Sequence, residues 1–350
     1  CYLCNKFAFL MQFIFPYIAR MSIGLKDIST ATGYSISTVS RVLSNRISKD
    51  ANSAKQILQV AREMGYIKYR SAVSPQNRIL DIALITQHFS EEFYAYLYAS
   101  FDQISIQRKC SLTIHSVRHS KSLQEELSFL SKNHDGFILF LPTLNPFSYN
   151  KIKTTLENYP IVSIAPSFEP IFDTFTFDSY QGGALAAQAF LEEGYKKFGI
   201  IRGPLDKWEA ALRRNGFRDT IENAGYKIDW DYKGDYSFES GEKAFRALNK
   251  RKRSMIGIFA SNDQMAVGFI HAALENKKKV PEDYAVIGYD NILFSKIFYP
   301  KLTTIDTDVD QLSIESIDHL IRMIKGDVDL DRSARKILIP VKLIKRNTHK

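Results

Sequence analysis

From Ile79 onward the chain alternates short, apolar, β-rich runs with amphipathic helical segments, and this alternation constrains the fold more than any other feature. The runs predict strands at 79–86 (ILDIALIT), 111–117 (SLTIHSV), 136–141 (GFILFL) and 160–165 (PIVSIA). A second set follows at 197–203 (KFGIIRG), 256–261 (IGIFAS), 284–290 (YAVIGYD) and 336–344 (KILIPVKLI). Helical patterns fall between them, for example 94–109 and 184–193. Strands linked by helical crossovers lie parallel, with right-handed connections, so the expectation is an α/β body built on parallel sheets. Ligands of such sheets bind beyond the carboxyl ends of the strands.

That pattern alone fits a dehydrogenase, a phosphotransferase or a binding protein. The enzyme signatures that would separate them are missing from the sequence: no phosphate-binding G-x-x-x-x-G-K-[ST], no G-x-G-x-x-G after the first strand, no G-x-S-x-G and no H-E-x-x-H. The histidines are scattered, and the three cysteines form no disulfide framework. Cys1 and Cys4 have metal or redox spacing but lack a second pair to complete four zinc ligands. No catalytic group, metal or cofactor is therefore expected, and no apolar run reaches the roughly 20 residues that a membrane-spanning helix needs.

Ahead of the alternating region lies a segment of different character. Leu25, Ile28 and Ala31 recur at helical spacing and Gly33 ends that helix; Ser35 then caps a second helix from Ile36 to Leu43. On the second helix Val39, Val42 and Leu43 face inward, while Ser37, Ser40 and Arg41 share the outer surface. A third apolar series, Ala54, Ile57, Leu58, Ala61 and Met64, stops at Gly65. Three short helices with a tight glycine turn describe a helix-turn-helix, whose second helix enters the major groove of DNA.

Charge agrees with that division. Residues 21–78 hold nine cations against Asp27, Asp50 and Glu63, a net +6 within the overall +9. The last sixteen residues add six cations and no acid, so the intervening body is acidic. A basic head on an acidic body fits a nucleic-acid-reading module joined to something else.

The run K-D-I-S-x-x-x-G-Y-S-x-S-T-V-S-R-V-L-S-N from Lys26 to Asn45, followed by E-M-G-Y-I, resembles the head of the lactose/galactose repressor family of bacterial transcription regulators. The likeness continues through F-D-S-Y-Q-G-G-A-L-A-A (177–187), R-x-x-G-F (Arg213 to Phe217), A-S-N-D-Q-M-A-V-G (260–268) and V-P-E-D-Y-A-V-I-G-Y-D-N (280–291). P-x-L-T-T-I (300–305) and R-N-T at Arg346 extend it to roughly residues 22–348. The resemblance implies a three-helix DNA-binding head before a sensor of two periplasmic-binding-protein-like lobes, joined by three crossovers, with the effector between them. It puts Ile36, Ser37 and Arg41 at base-reading positions; Arg41 can pair bidentately with guanine. Lys26, Ser35, Thr38, Ser40 and Asn45 would contact phosphate, which positions the head without specifying sequence.

The chain departs from the family between Tyr66 and Ile79. Many members have a longer linker that folds into a hinge helix on DNA and inserts a leucine into the minor groove. This linker is shorter, has no leucine in the expected place and carries the helix-breaking Pro75. Weak minor-groove kinking is expected, with recognition resting on the head and on dimer spacing.

For the effector, Asn262 and Asp263 follow the strand at 256–261, Asp290 ends the strand at 284–290, and Arg213 lies early in a helix after 197–203. A sugar presents adjacent hydroxyls that a carboxylate or amide accepts in pairs while arginine donates from the other side. By the resemblance Arg213, Asn262 and Asp290 match sugar-contacting positions, and Tyr236 matches one where an aromatic ring can stack on a sugar. Phe89, Phe93 and Tyr94 could line the same cleft. The competing structural reading is that Asn262 or Asp263 caps a helix, Asp290 closes a turn and Tyr236 belongs to the core. The family's polar Gln after L-T-T-I is replaced by Asp306-Thr307-Asp308, which leaves the ligand's identity open.

The expected organisation is residues 1–20 as upstream sequence translated in frame, 21–66 as the DNA-binding domain, 67–78 as linker and 79–350 as the ligand-binding and dimerisation region. The expected activity is that of a cytoplasmic, homodimeric repressor that binds double-stranded operator DNA under control of a small effector, a sugar by preference. The alternative is a secreted sugar-binding protein whose signal is residues 1–20; it has no use for the segment 25–65.

Overall fold

The computed structural model describes residues 24–43, 51–64, 78–87, 92–117, 123–164, 169–249, 255–330 and 332–350. Expectations for residues 1–20, the linker 67–77, Asn45 and Phe89 lie outside the described residues. The chain divides into two compact units, residues 1–80 and 81–350.

In the first unit, α1 (Leu25–Thr32), α2 (Ile36–Leu43) and α3 (Ala51–Glu63) pack on one another. Asp27 accepts from the Gly24 amide at 2.8 Å, satisfying a donor that a helix start leaves free. Gly33 ends α1 with φ 74°, in the left-handed region that glycine adopts at no steric cost. Ser35 Oγ accepts from the Thr38 amide at 3.2 Å, the expected cap of α2. Ile28, Val39, Val42, Leu43, Ile57 and Ala61 form the buried core. Ala31 is exposed, because the core is complete without that face of α1.

The second unit holds two six-stranded sheets, one per lobe. Lobe 1 contains β1 (Leu80–Thr86), β2 (Cys110–Ser116), β3 (Gly136–Phe140), β4 (Ile161–Ser163), β5 (Asp173–Phe177) and β11 (Lys336–Ile339), in the order β11-β5-β4-β3-β1-β2. Its helices are α4 (Glu92–Gln107), α5 (Leu123–Leu130), α6 (Pro146–Thr155) and α12 (Val309–Lys325). Lobe 2 contains β6 (Phe198–Arg202), β7 (Ile228–Lys233), β8 (Ile256–Ala260), β9 (Tyr284–Asp290), β10 (Thr303–Asp306) and β12 (Lys342–Ile344), in the order β12-β10-β9-β8-β6-β7. With it go α7 (Ser179–Glu192), α8 (Trp208–Asn223), α9 (Phe238–Asn249), α10 (Asp263–Glu275) and α11 (Leu293–Ile297).

Strands β1, β3, β4, β5 and β11 pair in parallel, as do β6 through β10, whereas β12 runs antiparallel to β10. The chain crosses between lobes three times, after β5, after β10 and after β11. The last crossing corrects one expectation. The run 336–344 is not one strand; it breaks at Pro340 and Val341, and its halves join different sheets. Pro340 lacks the amide a continuous ladder would use. Strands β5, β7 and β10 were not predicted, because Thr and Asp interrupt their apolar pattern. Among the described residues no helix is long and apolar enough to cross a membrane.

Candidate functional site

The ends of β3, β4 and β5 in lobe 1 face the starts of α8 and α10 and the end of β9 in lobe 2. A cavity between them is lined by Phe93, Tyr94, Phe140 and Phe177 from one side and by Glu209, Arg213, Tyr236, Asn262 and Asp290 from the other. One wall is aromatic and the other polar, which suits a ligand with an apolar face and a hydroxylated edge.

The motif glycines explain how the polar wall is built. A Cβ on Gly183 would lie 2.0 Å from the Arg213 carbonyl oxygen, and one on Gly216 would lie 1.9 Å from that of Tyr180. Only glycine permits α7 and α8 to approach this closely, and that contact holds the turn of α8 carrying Arg213. Gly241 and Gly268 join α9 to α10 in the same way.

Arg213 is 6% exposed and Asp290 9%, so their ion pair, Nη2 to Oδ1 at 3.5 Å, is shielded from water. Arg213 also donates from Nη1 to the Ser261 carbonyl at 2.6 Å and lies 3.7 Å from the centre of the Tyr289 ring. Its Nε is buried without a hydrogen-bond partner, and so is the Tyr236 hydroxyl. Two buried donors without acceptors at one cavity wall are what an oxygen-bearing ligand would satisfy. Burial pushes the Asp290 carboxyl up to about 7, with Arg213 opposing the rise and Glu209 adding to it. Burial opposes the charge on Arg213 as well, yet Asp290 beside it keeps the guanidinium above its ordinary range. Asp290 has φ 107° and Tyr236 φ 74°, backbone conformations that side-chain-bearing residues adopt only when their surroundings enforce them.

Asn262 does two things at once. Its Oδ1 accepts from the Met265 amide at 3.0 Å, capping α10, and its Nδ2 donates to the Tyr236 carbonyl at 2.9 Å. The helix-cap reading and the cavity reading therefore both describe it. Asp263 does not line the cavity. It is fully buried, accepting from Thr304 Oγ1 at 2.6 Å and from the Ile292 amide at 3.0 Å, and so ties α10 to β10 and to the turn after β9. Burial, followed by the charge of Asp290, drives its carboxyl well above the usual range.

The cavity thus gathers Phe93, Arg213, Tyr236, Asn262 and Asp290. Sequence reasoning missed Glu209, although it lies four residues before Arg213 and therefore on the same helical face. It also missed Phe140 and Phe177, which end strands and read as core.

In the head, Ile36 (47% exposed), Ser37 and Arg41 stand on the outer side of α2, opposite its buried face. The Arg41 Nε donates to the Ser37 carbonyl at 3.3 Å. Lys26 and Ser35 are exposed, while Thr38 and Ser40 are half-buried. An exposed isoleucine at the start of the helix has no role in the core.

Residues 24–68 match the family described as bacterial regulatory proteins, lacI family, and residues 187–349 match a periplasmic binding protein-like domain. The ribose operon repressor of Escherichia coli (strain K12) is 31% identical over 314 residues, 86% of this chain and 92% of that protein. The transcriptional repressor PurR of Histophilus somni (strain 129Pt) is 28% identical over 306 residues, covering 86% and 92%. The Lac repressor dimer bound to operator and the anti-inducer ONPF superposes with a TM-score of 0.74 at 25% identity, covering 93% of this chain and 98% of that one. Carrying a helix-turn-helix ahead of a two-lobed ligand-binding body, the chain belongs to the lacI family of bacterial regulatory proteins, DNA-binding repressors of transcription.

Proposed function

We propose that this repressor acts in the cytoplasm as a homodimer on a pseudo-palindromic operator, without catalysing a reaction, and that a sugar bound between its lobes sets its affinity for DNA. The observation that carries the reading is the buried Arg213–Asp290 pair in the cavity, accompanied by the unsatisfied Arg213 Nε and Tyr236 hydroxyl. Residues 21–66 would form the DNA-reading domain, 67–78 the linker and 79–350 the sensor. Arg41, Ile36 and Ser37 read bases; Lys26, Ser35, Thr38 and Ser40 hold phosphates, an assignment extended to Asn45 on sequence alone.

The relatives support the assembly. The structurally similar Lac repressor is a dimer bound to operator, and the ribose operon repressor is named for a sugar operon. On this chain α11 and its exit expose Leu293, Phe294, Ile297 and Tyr299 together, a contiguous apolar surface suited to a two-fold contact. Ligand and operator are linked through the lobes: a sugar that favours one arrangement changes DNA affinity by no more than its own differential affinity for the two states.

A gel shift with the protein's own promoter fragment at several salt concentrations, with and without sugars, tests this. Binding that weakens as salt rises and responds to a sugar is expected. Absence of binding even at low salt overturns the reading.

A further inference from the structure

The cleft does not end at the cavity that holds Arg213 and Asp290. That cavity has an open volume of about 90 Å³. It is the smaller of two spaces in the cleft and leaves no room for a second ring. Pro142 lines it and also lines a second, larger chamber of about 530 Å³ further along the same interlobe cleft. The second chamber is bounded in lobe 1 by the turn after β3 and the start of α6, and in lobe 2 by Asp206 and Trp208, immediately before Glu209 of the first cavity.

The lining of this chamber is chemically selective. Tyr149, Phe172 and Trp208 offer aromatic surface, and Asn150, Glu169 and Asp206 add polar groups along its margin. Among the described residues no lysine, arginine or histidine lines it. Aromatic faces with amides and carboxylates suit the alternating C–H and O–H surfaces of a sugar ring. A phosphate or carboxylate placed there would meet two carboxylates and no cation, which disfavours an anionic second moiety.

We infer that the effector is a neutral two-ring glycoside, with one ring in the Arg213–Asp290 cavity and the second in the chamber beside Trp208. This rests on the cleft being a sugar site, as proposed above, and adds the ligand's size and charge. The first ring supplies the oxygen acceptors that Arg213 Nε and Tyr236 lack, and the second lies against the half-buried Trp208.

Trp208 also provides the readout. The only other tryptophan, Trp230, is buried in the core of lobe 2 and stacked with Tyr232 at 5.7 Å, so an emission change on ligand addition reports Trp208. The full-length protein would be titrated by fluorescence and calorimetry with ribose, glucose and galactose, with cellobiose, maltose, trehalose, lactose and melibiose, and with glucose 6-phosphate and trehalose 6-phosphate. A neutral disaccharide is expected to bind at least tenfold tighter than its component monosaccharide and to shift tryptophan emission. Trp208→Ala should weaken the disaccharide at least tenfold and leave the monosaccharide within twofold. Asn150→Trp, which fills the chamber from its exposed rim, should do the same without disturbing buried packing. Asp290→Ala should abolish both. Monosaccharide binding that needs Asp290 but gains nothing from a second ring overturns this inference and leaves the sugar reading intact. Tighter binding of a phosphorylated sugar overturns it as well. Failure of every saccharide to bind overturns both.

Discussion

Replacing Asp290 with Asn removes a proton-binding group from the buried wall of the cleft, and its effect should depend on pH in a defined direction. Burial holds the native carboxyl near 7, against an ordinary value of 3.8. Between those values the native state binds a proton that the unfolded state has released, so stability falls as pH rises. The stabilisation is complete below about pH 3.8, is lost as pH climbs through 7, and is constant above that. At about 1.36 kcal/mol per pH unit, the full loss is about 4 kcal/mol as a ceiling. Asp290→Asn has no such loss, so its melting temperature relative to the parent should rise between pH 5 and pH 8. Only about two of those pH units fall between pH 5 and pH 8, about 2.7 kcal/mol, so at roughly 2 °C per kcal/mol for a unit of this size the rise is up to about 5 °C. Any constant offset reflects the exchange of a carboxyl for an amide; the slope, not the offset, measures the proton. Effector affinity of the parent should climb over the same interval, since hydroxyl donors favour the ionised carboxylate, and should be flat in the variant. A melting difference equal at pH 5 and pH 8 within about 1 °C would refute the reasoning. Asp173 provides a control of opposite sign. Burial alone would raise it, but His319, the Arg335 amide and Arg332 hold it down to about 2, so its contribution is present above about pH 4 and lost in acid. Asp173→Asn should therefore destabilise at pH 7 by about 2 kcal/mol and be nearly silent below pH 2.

Arg41→Ala should cost about 1–3 kcal/mol against the preferred operator and erase discrimination at one base pair per half-site, measured by competition gel shifts; uniform weakening across sequences would assign Arg41 to phosphate instead. Tyr299→Glu, at a residue 83% exposed beside Phe294 and Ile297, should convert the dimer to monomer in sedimentation and weaken operator binding without lowering the melting temperature of the sensor; an unchanged dimer refutes the α11 contact. Glu92 of lobe 1 accepts from the Leu293 amide of lobe 2 at 2.8 Å, and its other oxygen is buried without a hydrogen-bond partner. Glu92→Ala should shift the lobe equilibrium by about 1 kcal/mol, read as a roughly fivefold change in effector affinity; no change would mean the bond is equally replaced by water.

The parts of this protein that could be read from its sequence are those where backbone geometry depends on residue type. Gly33 and Ser35 delimit α2 because a left-handed turn and a helix start each require particular chemistry. Arg213 was legible through R-x-x-G-F, and the structure supplies the reason: Gly216 lets the helix carrying Arg213 press against α7. Asp263 was not legible as distinct from Asn262, since adjacent polar residues at a helix start differ only in the direction each side chain takes. Asn262 turns toward the cavity while Asp263 turns into the core, where Thr304 and the Ile292 amide await it. Phe140, Phe177 and the chamber beside Trp208 escaped for a different reason. An aromatic residue at a strand end has the same sequence signature whether it faces the core or a cleft, and only the opposing lobe decides.

α11 is where the two regulatory requirements meet. It is five residues long, opens with the amide that Glu92 holds across the cleft, and ends beside the exposed Tyr299. On the proposed reading, the lobe arrangement and the dimer contact therefore share one short element, anchored from behind by Arg346, which donates to Ser295 Oγ at 3.2 Å and to the Leu302 carbonyl at 2.6 Å. On that same reading, a ligand that changes the separation of Glu92 and Leu293 acts directly on the helix proposed to orient the second subunit. Because coupling between sites is reciprocal, operator DNA must alter effector affinity by the same factor that effector alters operator affinity. Glu92→Ala should reduce both factors together. A variant that kept both factors at their parent values would show that the cleft and the DNA-binding surface communicate through an element other than α11.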